Sequence, residues 1–199
     1  MMHPGTTLAY IGPANGFGVF AKTDIPKGSL IYVIDPLDII ITPDDPLNND
    51  PLYEELLTTY AYTEPNGTRI LCWDHGKYMN HCCQPNTLST GFGFEIAIRD
   101  IAKGEEITDH YALLNLEYPM DLSCDKPGCN GRIVPGELSI HHEWMDLRIK
   151  EALDQVRSVP QPLYKLLDPS TRASLERYLD HGVGYPAVLS LQHPLRDAM

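Results

Sequence analysis

The 199-residue chain is poor in positive charge: 15 lysines and arginines stand against 27 aspartates and glutamates, a formal charge of -12. Binding to DNA or RNA draws on cationic groups that displace phosphate counterions, so this balance speaks against direct nucleic-acid binding. An acidic surface instead attracts basic peptides and raises their encounter rate. Long hydrophobic runs are missing too. The most apolar stretch, Ser29 to Thr42, is broken by Asp35, Pro36 and Asp38, far from the ~20 apolar residues that cross a bilayer. The start, MMHPGTTLAYIG, has neither a basic n-region nor an apolar h-region and does not read as a secretory signal. A cytoplasmic protein outside the membrane is the expectation. Cysteines number five, with Cys82 and Cys83 adjacent. For a cytosolic chain that points to metal binding or burial rather than a disulfide framework.

Hydrophobic residues make up 43% of the chain, enough for an ordinary core. The length suits one domain of about 100–150 residues with an appendage. Residues 8 to 41 read as short strands joined by turns at Gly16 and Gly18 and at Pro26-Lys27-Gly28. The run Leu30 to Ile34 suits a buried strand. Residues 43 to 51 should form an exposed loop, and Pro51 to Thr59 a short helix with Leu52, Leu56 and Leu57 on one face. Strands are expected over Thr68 to Trp73, Phe92 to Arg99 and Glu106 to His110. Near residue 137 the composition changes. Ser139 is placed to cap a helix running to Arg157, with Ile149, Leu153 and Val156 at helical spacing. Asp168, Pro169 and Gly182 mark the cap, first turn and stop of a second helix.

Three segments carry the chemistry. Asn15 to Ala21, NGFGVFA, has glycines that let the backbone bend and approach a ligand, though alone it is also a plain hairpin turn. Asn80 to Asn86, NHCCQPN, can hold backbone groups at fixed angles to a ligand, or equally form an Asx-type turn with buried thiols. Gly104 to Tyr111, GEEITDHY, reads by itself as a turn, an acidic patch and a strand ending in a core tyrosine.

In this order the three segments resemble the SET-domain family of lysine methyltransferases, over about Leu8 to Arg132. The family's GxG turn is matched by Gly16 to Ala21. Its Asn-His-Ser-Cys-x-Pro-Asn is matched by Asn80 to Asn86, with Cys82 in the serine place. Its Gly-Glu-Glu-(Leu/Ile)-Thr-x-Asp-Tyr is matched by Gly104 to Tyr111, with His110 in place of aspartate. The resemblance implies a mainly β fold, with the second and third segments crossing as a pseudoknot and a small α-helical C-terminal extension behind it. It divides the chain into a SET domain over 6–118, a post-SET-like cysteine segment over 119–134, helices over 137–182 and an irregular tail over 183–199.

The same resemblance implies S-adenosylmethionine as cofactor, contacted by Gly16, Phe17, Gly18, Asn80, His81 and Tyr111. A substrate lysine would enter from the opposite face through a narrow channel, with Tyr111 as the catalytic residue near its inner end. Tyr60, Tyr62 and Tyr118 are candidate lining residues, with core packing the plainer reading of each. His110 is either a group titrating near neutrality or a structural one. In the cysteine segment the resemblance places zinc on Cys83, Cys124 and Cys129. The position of the remaining cysteine holds Leu122. Four protein ligands are normal for structural zinc, so Cys82, His141 or His142 would have to serve, or the site is metal-free. His141 and His142 read as solvated surface residues. The leading expectation is methyl transfer to a lysine in a basic segment of a protein substrate. A SET fold acting on a small molecule, or a non-catalytic interaction module, are the alternatives.

Overall fold

The computed structural model describes residues 1–13 and 15–194; the part of the expected tail beyond residue 194 lies outside them. No helix among the described residues is long and apolar enough to cross a membrane. The chain opens with strand β1, Thr6–Gly12, which turns back as β2, Gly16–Ala21, in an antiparallel hairpin pairing Ala9 with Gly18. Next come β3 (Leu30–Val33), β4 (Ile39–Ile41), helix α1 (Glu54–Tyr60), β5 (Ala61–Thr63) and β6 (Arg69–Leu71). The central part holds β7 (Asn80–His81), β8 (Thr87–Ser89), β9 (Phe94–Ala97) and β10 (Glu106–Asp109). The pair β11 (Met120–Asp121) and β12 (Arg132–Ile133) leads into α2 (Leu138–Leu153) and α3 (Pro169–His181).

The strands make small sheets, ordered β1-β2-β10-β7, β3-β9-β8, β4-β6-β5 and β11-β12. The body is thus mainly β with a helical C-terminal part, as the resemblance implies. In the sheet β3-β9-β8 the strands β3 and β9 are buried along their whole length and, Glu95 apart, are apolar. Leu30, Leu88, Phe94 and Ile96 cluster with Leu138, Met145, Ile149 and Leu153 of α2. Ile31 and Ala97 cluster instead with Val19 and Ile107 of the β2-β10 sheet. Strand alternation puts Phe94 and Ile96 on the helix side and Glu95 with Ala97 on the other.

The C-terminal helices therefore complete the core of the strands. The turn before β3 shows how closely they dock. Gly28 has φ +91°, and a Cβ there would come within 2.8 Å of the Ala152 carbonyl and of Gln155 Cβ. The Gln161 amide spans the joint, donating to the Gly28 carbonyl at 2.7 Å while its oxygen accepts the Leu30 N–H at 3.0 Å.

Two helices depart from the expected boundaries. Helix α1 begins at Glu54 because the Asp50 carboxylate accepts the Leu52 N–H, holding Leu52 in a turn ahead of it. Leu52 and Leu56 are exposed and only Leu57 is buried, so the three do not share an inward face. Helix α2 starts one residue before Ser139, whose hydroxyl donates to the Gly136 carbonyl and caps nothing. It ends at Leu153, and the chain tightens into a 3-10 turn over Val156–Ser158. Ile149, Leu153 and Val156 are buried together as their spacing predicts. Helix α3 follows its signals throughout: the Asp168 carboxylate accepts the N–H groups of Ser170 and Thr171, and Gly182 closes it in the left-handed conformation.

Candidate active site

Strands β2, β10 and β7 bring the three sequence segments side by side. β10 runs antiparallel to β2 and parallel to β7, pairing Thr108 with Asn80 and Asp109 with His81. The chain after β7 then crosses β10. The Cys82 N–H donates to the Asp109 carbonyl at 2.9 Å. The Asn86 side chain accepts the Thr108 N–H at 2.9 Å and donates to the Glu106 carbonyl at 2.7 Å. An asparagine amide can satisfy a strand's donor and acceptor together, so Asn86 ties the crossing at a buried position.

Gly16 opens β2 and Phe17 follows it, with its ring exposed between Tyr10 and Tyr78. The Asn80 amide donates to the Phe17 carbonyl at 3.0 Å and to Glu106 Oε1 at 2.8 Å. Gly18 sits against this pair: a Cβ there would lie 2.6 Å from Glu106 Oε1 and 3.2 Å from Asn80 Nδ2. Gly18, the fixed Asn80 and the exposed Phe17 ring make a small cradle at this edge of the sheet.

Tyr111 begins a single 3-10 turn, Tyr111–Leu114, directly after β10. Its N–H donates to His81 Nδ1 at 3.2 Å and its hydroxyl to the Met79 carbonyl at 2.8 Å. Burial, and then Asp109, push its phenol well above the ordinary range, so it stays protonated. The ring borders two cavities. One, of about 130 Å³, is enclosed by Tyr32, Tyr62, Met79, Glu95, Asp109 and Tyr111 among others. That volume exceeds what a few waters occupy and suits a slender side chain. The other is a cleft of about 1080 Å³ between the α1 region and the chain after Tyr111, and it carries the carboxylates of Asp50, Glu54 and Glu117. Tyr62 thus lines the inner cavity, whereas Tyr60 is partly exposed at its edge and Tyr118 lies exposed along the outer cleft.

Glu95 and Asp109 had no assigned role in the sequence, yet both are buried and border the inner cavity. Burial pushes the Glu95 carboxyl up to about 7. Burial and the neighbouring Glu95 push Asp109 well up as well. The available signal was a glutamate between Phe94 and Ile96 in an otherwise apolar strand. His110 is no neutral-range titrator: burial, with His81 and His141 beside it, lowers it to about 3. His141 is partly exposed, and its ring packs 4.9 Å from that of His110.

The thiols converge below His81. His81 Nε2, Cys83 Sγ and Cys124 Sγ lie within 4.8 Å of one another. Cys129 lies near them, its thiol acting on both Cys83 and Cys124. Burial pushes the Cys83 thiol up. Burial also acts upward on Cys124, but the N–H groups of Cys83 and Lys126 and the neighbouring thiols outweigh it and leave it below the ordinary value. Two of the expected metal donors, Cys83 and Cys124, are therefore together, with Cys129 beside them. Leu122 supplies no fourth, and its N–H instead donates to the Gly131 carbonyl. His81 is no replacement in this arrangement. Its Nδ1 accepts from Tyr111, so its ring proton sits on Nε2, 3.2 Å from Cys83 Sγ, and a protonated nitrogen has no lone pair for a metal.

Residues 16–112 match the family model described as the SET domain. The chain is similar to the variant-silencing SET domain-containing protein of Plasmodium falciparum, isolate 3D7, at 31% identity over 140 residues. That match covers 57% of this chain and only 5% of the much longer relative. Among solved structures, a candidate histone methyltransferase of Plasmodium falciparum aligns with 55% of this chain and 95% of its own, at 21% identity and a TM-score of 0.40.

Proposed function

Residues 16–112 belong to the SET-domain family, and from that premise we propose that this protein transfers a methyl group from S-adenosylmethionine to the ε-amine of a lysine in a basic protein segment. The observation that carries the reading is the position of Tyr111. Its hydroxyl, fixed by the Met79 carbonyl, borders the inner cavity, while its N–H is bound to His81 beside the Asn80 and Gly18 cradle. Acceptor cavity and cofactor cradle thus meet at one residue.

When bound, S-adenosylmethionine supplies a methyl group on a sulfonium sulfur, and much of the catalysis of such a displacement can come from alignment. Gly16, Phe17, Gly18, Asn80, His81 and Tyr111 would hold the cofactor. Asn80 is already locked by two acceptors and has little orientation left to lose. The protonated Tyr111 hydroxyl orients the amine rather than taking its proton. Tyr32 and Tyr62, with phenols pushed up by burial, wall the cavity without adding charge. The Asp50 and Glu54 carboxylates of the outer cleft favour a basic segment around the target lysine, while Glu117 there is paired with Arg69. Cys83, Cys124 and Cys129, completed by a fourth ligand from outside this set, would hold a zinc ion tying the chain after β7 to the segment before β12.

Calorimetric titration of the purified protein with S-adenosylmethionine tests this without knowledge of the acceptor. Saturable binding at one site per chain is expected. A folded protein that binds none would end the methyltransferase reading.

A further inference from the structure

Most charged side chains of this protein face water or an ion-pair partner, but Glu95 and Asp109 do neither. They stand on β9 and β10, 4% and 2% exposed, at the wall of the inner cavity. Among the described residues no cation pairs with either. Lys77 borders the same cavity, but its ammonium is directed to the carbonyls of Cys72, Trp73 and Asp74. A buried carboxylate without a cation is costly, so the pair has to be explained by what enters the cavity.

Thr87 fixes the proton count. Its hydroxyl meets both the Thr108 carbonyl, at 3.0 Å, and Glu95 Oε1. A hydroxyl has one hydrogen, and a carbonyl can only accept. One hydrogen cannot serve both acceptors, so this contact is relieved when the carboxyl pair holds a proton. Asp109 Oδ1 accepts the His110 N–H at 2.6 Å, and burial with the charge of the neighbouring Glu95 pushes its carboxyl up. Two buried carboxyls coupled in this way hold one proton between them and carry one negative charge.

We propose that Glu95 and Asp109 form the anionic end of the acceptor cavity, where they select an ammonium group and take its proton before methyl transfer. The inference rests on the methyltransferase reading. One N–H bond of the substrate ammonium breaks and its proton passes to the carboxylate of the pair, leaving both carboxyls neutral. The freed lone pair of the amine forms the new C–N bond as the C–S bond of the sulfonium breaks. The products are a methylammonium and a neutral thioether, so charge and protons balance. Tyr111 positions the amine and the pair accepts its proton, two roles the protonated phenol cannot combine. The other titratable groups facing the cavity are Tyr32, Tyr60, Tyr62, Glu64, Cys72, Lys77 and Tyr111. The phenols of Tyr32, Tyr62 and Tyr111 and the Cys72 thiol are pushed up by burial and stay neutral.

The test uses the full chain with n-butylammonium chloride and n-butanol as probes of matched length, by calorimetry at pH 8 and pH 5.5. We expect the wild type to prefer the ammonium by at least about tenfold at pH 8, the order expected for one desolvated charge pair. The preference should shrink at pH 5.5, where the pair takes up its second proton. Glu95→Gln together with Asp109→Asn should abolish the preference at both pH values, with melting curves confirming that the variant is folded. Equal affinity for the two probes in wild type, no binding of either, or a preference that survives in the double variant overturns the proposal. A parallel titration with S-adenosylmethionine separates the two readings: cation preference without cofactor binding defeats the methyltransferase and leaves the cation site standing.

Discussion

The backbone N–H of Tyr111 donates to Nδ1 of His81 at 3.2 Å, and this one bond decides what the other end of the imidazole can do. With Nδ1 accepting, Nε2 carries the proton and faces Cys83 as a donor. Burial, followed by His141, lowers His81 to about 4, so a doubly protonated ring does not relieve the constraint at neutral pH. The cofactor side and the thiol cluster are thereby joined through a ring that belongs to the first and only donates to the second.

Metal content follows from that arrangement. Protein purified with zinc is expected to carry one ion per chain on Cys83, Cys124 and Cys129, as elemental analysis would report. Cys124→Ser should lose it and His81→Gln should keep it. Loss of zinc in His81→Gln alone would show that the ring turns over to ligate, breaking its bond to Tyr111.

Tyr111→Phe removes a hydroxyl bonded to the Met79 carbonyl at 2.8 Å and leaves the ring in place. A hydrogen bond of this kind contributes about 1 kcal/mol, so the melting temperature should fall only slightly. Affinity for S-adenosylmethionine should change little. Methyl transfer to a core-histone mixture, followed with tritiated cofactor, should drop on the order of 10²-fold, the scale at which misalignment is felt. Unchanged turnover would remove Tyr111 from the acceptor site.

Gly18→Ala tests the cradle. The added methyl would stand 2.6 Å from Glu106 Oε1 and 3.2 Å from Asn80 Nδ2. Glu106 can swing aside, but Asn80 then loses one of its two acceptors. Folding should cost about 1 kcal/mol, while cofactor affinity falls by tenfold or more. Weaker binding at unchanged stability would place the effect at the cradle itself, and unchanged binding would argue that the cofactor lies elsewhere.

The main features of this architecture were legible because local rules and the tertiary arrangement agree. Asp168, Pro169 and Gly182 bracket α3 as their chemistry dictates. The all-apolar run Leu30 to Val33 is buried on both faces. The motif residues Phe17, Gly18, Asn80 and Tyr111 meet because β7 and β2 both pair with β10. Less legible was anything set by long-range packing. Helix α2 begins without the Ser139 cap because Leu138 and Met145 are anchored in the core, which outweighs a weak terminal preference. Leu52 lies outside α1 because of an Asp50 turn that periodicity does not register. Glu95 sits within a strand segment and Asp109 at an unassigned position of the third motif, and neither signals a site on its own. Only the cavity between β9 and β10 gives them a shared environment.

Stability should depend on pH in two opposed ways, and the groups responsible can be separated. Burial lowers His110 to about 3 from its ordinary 6.5. Below pH 6.5 the unfolded chain therefore takes up a proton that the folded protein refuses, and stability falls as the pH drops toward 3. Glu95 acts in the other sense. Its folded value of about 7 lies above its ordinary 4.5, so the folded state keeps a proton that the unfolded chain releases. That contribution is complete below pH 4.5 and disappears as the pH rises through 7. Melting temperatures measured from pH 4.5 to 8 for three proteins resolve the two. His110→Asn keeps an acceptor for the Ala112 N–H that His110 Nδ1 now receives at 3.3 Å. It should gain on the wild type progressively as the solution is acidified. Glu95→Gln should gain on it progressively as the solution is made alkaline. Curves that run parallel to wild type across this range would mean that neither group is buried in the ionisation state its surroundings dictate.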